Sequence, residues 1–301
     1  MDNDEYDKVE LPALKQLQAL GWDYTHGSSV SPESSNERQF YREVVLEQRL
    51  TQAVKKINPW INDENLRKVI REITHPKVAT LIEANCVIWE TLVQYQSVDQ
   101  DLGKGRKGQT VKIIDFETPE NIDFLCVNQF KIEGVNQNII PDIILFVNGL
   151  PLAVIECKSP YITNPMESGI EQLMRYANRR QPIEDEGAEK LFWYNQMMVS
   201  TFRDKARVGT ISSRNEHYLE WKDPYPLTNE QVFLQCQADA KNDAAIQEDL
   251  KVAEKQTDYA TQANSQQILI AGLLNKANFL DVIQNFTVFE PTDGKVIKKI
   301  R

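Results

Sequence analysis

Residues 141–158 read PDIILFVNGLPLAVIECK. Two runs of branched and large apolar residues flank Asn148-Gly149, a dipeptide that strongly signals a tight β-hairpin. Nearly continuous apolar runs of this kind suit strands buried on both faces of a sheet. Asp142, Glu156 and Lys158 interrupt the pattern, and a buried charge is costly unless it is paired or bound to a metal. Where these three charges point therefore decides both the fold and the chemistry.

Side chains alternate along a strand, so Glu156 and Lys158 share one face and Cys157 points to the other. Asp142 joins that face only if the turn contains an odd number of residues. A three-residue loop with a left-handed glycine would supply it. Pro151 further limits ladder pairing beside the turn. If the two carboxylates converge to about 4 Å, they repel by roughly 4 kcal/mol at an effective dielectric near 20. A divalent ion reverses that cost, while an edge-strand ion pair with Lys158 is the plainer alternative.

Upstream of the hairpin, LPALKQLQALGW has helical spacing and stops at Gly21. ERQFYREVVLEQRLTQAVKKIN reads as one long amphipathic helix capped by Ser35-Asn36, with Phe40, Val44, Leu46, Leu50 and Val54 on its buried face. DENLRKVIREIT and VATLIEANCVIWETL are two further helices. The period changes near residue 111, where TVKIIDF, DFLCVNQFKIEG, PDIILFV and LAVIECK read as strands. NPMESGIEQLMRYANRR returns to helix, LFWYNQMMVSTF and RVGTISS read as strands, and polar helical sequence follows residue 228 through about residue 260. This order predicts an α/β fold with a mixed central β-sheet flanked by helices.

At 301 residues with 41% hydrophobic and 26% charged residues, the chain has the composition of a soluble globular protein. No stretch approaches the roughly 18 apolar residues of a membrane span. The acidic start MDNDEYDKVE is unlike a secretory signal, which predicts a cytoplasmic protein. Four dispersed cysteines and three histidines without metal-binding spacing argue against a zinc or iron–sulfur site, so any metal is expected to be held by oxygen. The net charge of −10 opposes unaided binding to nucleic acid. GKGRKGQT, residues 103–110, imitates a phosphate-binding loop, but Gln109 stands where the lysine is needed and strand-like sequence follows instead of a helix. The chain is expected to hold no nucleotide site.

The proline followed by Asp142 and Glu156-x-Lys158 resembles the PD-(D/E)xK nuclease superfamily. The helix that follows carries Gln172 and Tyr176, four apart and on one stripe. Its expected core stripe of Ile170, Leu173, Met174 and Ala177 lies roughly opposite. Nucleases of the bacterial recombination type carry a similar QxxxY element. FETPENIDFLCVNQFKIEG, PDIILFVNGLPLAVIECKSP, QLMRYA and LFWYNQMMVST…RVGT occur in that order in the restriction subunit of type I restriction–modification enzymes. YREVVLEQRLTQAVKKINP is similar to the same family's N-terminal helix, and the resemblance spans about residues 35–220. One departure is TFRDKA, where family members commonly carry Asp-Gly or Asn-Gly.

The resemblance implies a PD-(D/E)xK endonuclease domain with N-terminal helices over residues 1–245, then a helical segment over 246–301. That segment would lead toward an ATP-dependent motor folded from chain following residue 301. It implies a Mg²⁺-dependent endonuclease, with Mn²⁺ able to substitute, that cuts double-stranded DNA. Asp142, Glu156 and the Cys157 backbone carbonyl would hold the metal. Lys158 would orient or help deprotonate the attacking water, and Gln172 and Tyr176 would support the site and contact DNA. Glu47, with Glu43 beside it, is the candidate for an extra acid. ATP would act only through the motor, and the implied partners are methylation and specificity subunits. The alternative is a non-cleaving DNA-binding or docking module of the same assembly.

Overall fold

The structure, a computed structural model, describes residues 4–103, 105–180, 183–241, 262–292 and 294–301. A π-helical turn, Tyr6–Glu10, runs into α1 (Leu11–Ala19), and β1 (Asp23–His26) follows the left-handed Gly21. Three helices come next: α2 (Glu47–Ile57), α3 (Asp63–Thr74) and α4 (Leu81–Gln94). The strands β2 (Gln96–Asp101) and β3 (Arg106–Val111) form a separate hairpin. The chain continues through β4 (Phe124–Asn128), the short pair β5 (Ile132–Glu133) and β6 (Asn138–Ile139), β7 (Ile143–Val147) and β8 (Leu150–Cys157). After them come α5 (Pro165–Tyr176), α6 (Glu189–Tyr194), β9 (Met197–Thr201), β10 (Ala206–Gly209) and α7 (Asn229–Lys241). The last elements are α8 (Ser265–Gly272), α9 (Lys276–Asp281), a second π-helical turn and the hairpin β11 (Thr287–Thr292) and β12 (Lys295–Ile300).

Six strands form one sheet in the order β1-β4-β7-β8-β9-β10. β1 pairs parallel with β4, and β8 pairs parallel with β9, while the remaining neighbours are antiparallel. The expected mixed sheet flanked by helices is therefore present. Every residue of β4, β7, β8 and β9 is buried, as their apolar runs require. Helices α5 and α6 pack on β8, while α1 meets β1 and α8 meets β10.

Several sequence expectations need correction. The long helix expected from residue 37 begins only at Glu47. Before it, the buried Arg38 guanidinium donates to the carbonyls of Val30, Tyr41 and Glu43, and Glu43 accepts from the amides of Gln39 and Phe40. These side chains satisfy the backbone locally and hold it out of a helix. The Leu46 amide meanwhile donates to the Gly149 carbonyl, 2.9 Å away, which fixes where α2 starts. LFWY, read as the start of a strand, forms α6, and strand pairing begins only at Met197. Within TVKIIDF the strand stops at Val111, as the second arm of the β2–β3 hairpin.

Of the segment 246–301, residues 246–261 lie outside the described residues. The rest is helical through Phe286 and then forms a hairpin. Leu269, Ile270, Leu273, Leu274, Phe279, Leu280 and Ile283 share one apolar core with the central sheet.

Candidate active site

Asn148 and Gly149 both have positive φ, 51° and 79°, so the turn has the two-residue form that suits a twisted hairpin. The expected three-residue loop is absent, and the parity change comes from a bulge. Val147 faces Leu150 and Phe146 faces Pro151, yet Leu145 faces Ala153, which leaves Leu152 as the extra residue. From there Ile144 faces Val154 and Ile143 faces Ile155. One step on, Asp142 stands opposite Glu156, on the same face of the sheet. Pro151 cannot donate to the ladder, so the irregularity falls where regular pairing is already weakest.

Asp142 Oδ2 accepts from the Cys157 amide at 2.7 Å, and its Oδ1 accepts from Gln129 Nε2 at 3.4 Å. Glu156 is fully buried; its Oε1 accepts from Lys158 Nζ at 2.8 Å. Its Oε2 is buried with no hydrogen-bond partner. Lys158 Nζ also donates to the Cys157 carbonyl at 2.7 Å and lies 3.8 Å from Glu5. The Cys157 side chain is buried.

Burial raises the Asp142 carboxyl to about 6, with Lys158 pulling the other way. Burial also raises Glu156 well above the usual carboxylate range, and the Asp142 charge pushes in the same direction. For Lys158 burial disfavours the ammonium, but Glu156 and Asp142 outweigh it and the lysine is raised.

A further carboxylate enters from the N-terminal helix. Glu10, only 3% exposed, accepts from Asn128 Nδ2 at 2.8 Å and from Gln129 Nε2 at 3.2 Å. Gln129 Nε2 thus bridges Glu10 and Asp142. Burial raises Glu10 to about 7, against the opposing Asn128 hydrogen bond. Glu10 was missed in the sequence, although a signal was present. It lies on the stripe of Ala13, Leu14 and Leu17, a carboxylate where helical spacing calls for a core residue.

Glu47, the expected extra acid, is elsewhere. It opens α2 beside the Asn148-Gly149 turn, six residues along β8 from Glu156, or roughly 20 Å of strand. It lines a surface cavity with Thr74, His75 and Lys190, and Glu43 lines the same cavity.

Gln172 Nε2 donates to the Tyr176 hydroxyl at 2.6 Å, and that hydroxyl donates to the Ile140 carbonyl at 3.2 Å. Tyr176 does not lie off the core stripe as expected. With Met166, Gly169, Ile170 and Leu173 it forms the buried face of α5, and it is 2% exposed. Its ring packs in the core while its hydroxyl lies close enough to Glu156 and Asp142 for their charges to help raise its pKa, chiefly raised by burial.

Among the described residues no group of three or more His, Cys, Asp or Glu side chains forms a metal-binding cluster. Asp142, Glu156 and the Cys157 carbonyl nonetheless give an all-oxygen set. A small hard cation is commonly held by one or two carboxylates, with water completing its shell. The orphaned Glu156 Oε2 fits this requirement, because an unpartnered buried carboxylate oxygen is costly. The residues therefore fit Mg²⁺.

A family model described as "Type I restriction enzyme R protein N terminus" matches residues 2–217. Over 295 residues the chain is 30% identical to the "Type I restriction enzyme HindI endonuclease subunit" of Haemophilus influenzae, covering 97% of this chain and 25% of that protein. Over 298 residues it is 26% identical to the "Putative type I restriction enzyme MjaIXP endonuclease subunit" of Methanocaldococcus jannaschii, covering 96% of this chain and 26% of that one. The chain spans about a quarter of the length of these relatives. The matched residues run from the helix that carries Glu10 through all six strands of the central sheet, and the chain belongs to the family of the type I restriction enzyme R protein N terminus.

Proposed function

We propose that this chain is the Mg²⁺-dependent endonuclease domain of a type I restriction enzyme, hydrolysing phosphodiester bonds of double-stranded DNA. The observation that carries the reading is the bulged hairpin. It sets Asp142 opposite Glu156 on one sheet face, with Lys158 on the Glu156 carboxylate. Asp142, Glu156 and the Cys157 carbonyl would hold the ion. When bound, Mg²⁺ supplies charge neutralisation at the phosphate and acidifies water. Lys158 orients the attacking water and donates to the phosphate oxygens as negative charge builds on them. Gln129 holds Asp142 and Glu10 in a fixed relation, and Glu10, not Glu47, serves as the extra acid. The Gln172–Tyr176 pair, anchored on the Ile140 carbonyl, steadies the strand entry at Asp142.

The relatives are named as type I restriction enzyme endonuclease subunits; on our reading, a motor using ATP and methylation and specificity subunits would be this chain's partners. Mn²⁺ titration by calorimetry, with wild type beside Asp142→Ala, tests the site. Saturable uptake by wild type and its loss in the variant are expected, and equal uptake by both refutes the assignment. Nicking of supercoiled plasmid by the assembled enzyme, abolished by Lys158→Ala, tests the activity.

A further inference from the structure

The family match ends at residue 217, yet a residue well beyond it bonds to two of the segments that carry the site. Gln266, near the start of α8, is 3% exposed, and both ends of its amide are used. Nε2 donates to the Val9 carbonyl at 3.0 Å, one residue before Glu10. Oε1 accepts from Thr201 Oγ1 at 2.8 Å. The Gln266 backbone amide donates to the Arg203 carbonyl at 3.2 Å, which fixes the side chain's base. Thr201 ends β9 as the register partner of Cys157, and its carbonyl accepts from the Lys158 amide at 2.9 Å. One buried amide thus joins the N-terminal segment that carries Glu10 to the strand end that holds Lys158.

We infer that Gln266 is a positioning residue for the metal-binding carboxylates, acting through Val9 on Glu10 and through Thr201 on the β8–β9 strand ends. The inference rests on the proposed nuclease reading. An amide fits this place because one side must accept from a hydroxyl while the other donates to a carbonyl, which a carboxylate or an apolar side chain cannot do. Losing it leaves the Val9 carbonyl and the Thr201 hydroxyl buried without this partner, and the hold of β9 on the segment before α1 is loosened. Glu10 would move with that segment, taking Gln129 and its hold on Asp142 along. Groups that orient metal ligands from behind typically change affinity by about 10–100-fold when removed.

The test compares Gln266→Leu, Thr201→Val and their double variant with Gln16→Leu. Gln16 Nε2 donates to the Gln267 carbonyl at 2.8 Å, so this control cuts a different bond between α1 and α8. Mn²⁺ affinity is read by calorimetry and thermal midpoint by scanning calorimetry, on the same preparations. Gln266→Leu and Thr201→Val should each weaken Mn²⁺ by about tenfold or more. The double variant should lose less than the product of the two, because both cut one tether. Gln16→Leu should stay within about twofold of wild type even where its midpoint falls as far. Unchanged affinity in the tether variants, or losses in all variants that merely track their midpoints, overturns the inference and leaves the nuclease reading standing. Wild type that takes up no Mn²⁺ overturns that reading, and the inference with it.

Discussion

Glu156 has one oxygen on the Lys158 ammonium and the other on nothing, in a position with no exposure to solvent. Asp142 and Glu10 are buried beside it and raised to about 6 and about 7. Between the ordinary carboxylate values and these, the folded protein binds more protons than the unfolded chain. The stability these groups allow is therefore present in acid and lost as pH rises through about 4 to 7. In chelator, the thermal midpoints of wild type and Asp142→Asn should be closest near pH 4. At pH 7.5 the variant should be the more stable, by several degrees. A gap that closes as pH rises would show that Asp142 is instead stabilised as a carboxylate by its amide partners. Asp142, Glu156 and Lys158 are legible in the sequence because charges in an apolar run are conspicuous. Glu10 is not legible in this way, because its single charge on a helical stripe is hidden by the acidic residues around it.

The hairpin shows where legibility ends at the scale of an element. Asn148-Gly149 announced its turn, and both residues adopt the left-handed backbone the dipeptide favours. The bulge was not announced, because Leu152 is one apolar residue among several and nothing in its identity distinguishes it from its neighbours. Parity therefore remained open until the pairing of Leu145 with Ala153 closed it. Helix α6 was misread for a related reason. Four large residues, LFWY, suit a strand, and their helical form is decided by packing on α4 and β8. The turn itself is tightly enclosed: a Cβ on Gly149 would lie 2.4 Å from the Leu46 carbonyl oxygen, at φ +79°. Gly149→Ala should thus cost about 2–3 kcal/mol in denaturant unfolding, combining backbone strain with displacement of the α2 start. A change below about 0.5 kcal/mol, the range of neutral surface substitutions, would mean the α2 contact yields readily and does not fix the turn.

At the scale of the molecule, the final forty residues pack on elements distant in sequence, α8 on α1 and the second π-helical turn on α4. Trp22 Nε1 donates to the Leu274 carbonyl and Trp89 Nε1 to the Ile283 carbonyl, both contacts between residues far apart in sequence. Periodicity could identify α8 and α9 as amphipathic but could not say which surface they cover. The terminal hairpin is held by a buried lysine. Lys298 Nζ donates to Asn85 Oδ1 at 2.8 Å, to the Asn195 carbonyl at 3.3 Å and to Gln196 Oε1. Its backbone accepts from Thr210 Oγ1 and donates to Ser212 Oγ. These nitrogen contacts are to neutral oxygens, and burial lowers its pKa well below the usual lysine value. The unfolded chain then binds the proton more tightly than the folded one, so this lysine's burial penalty shrinks as pH rises toward the ordinary lysine range. Lys298→Met would fill the space but strand the Asn85 and Gln196 side-chain oxygens, at about 1–3 kcal/mol each. The variant should be destabilised at pH 7, and the stability difference from wild type should widen between pH 7 and 9.5 as the wild-type lysine sheds its penalty. Chemical denaturation at both pH values measures this. A variant as stable as wild type at pH 7, or a gap that narrows with pH, would mean that the apolar packing of the hairpin, and not the lysine, secures this end of the molecule.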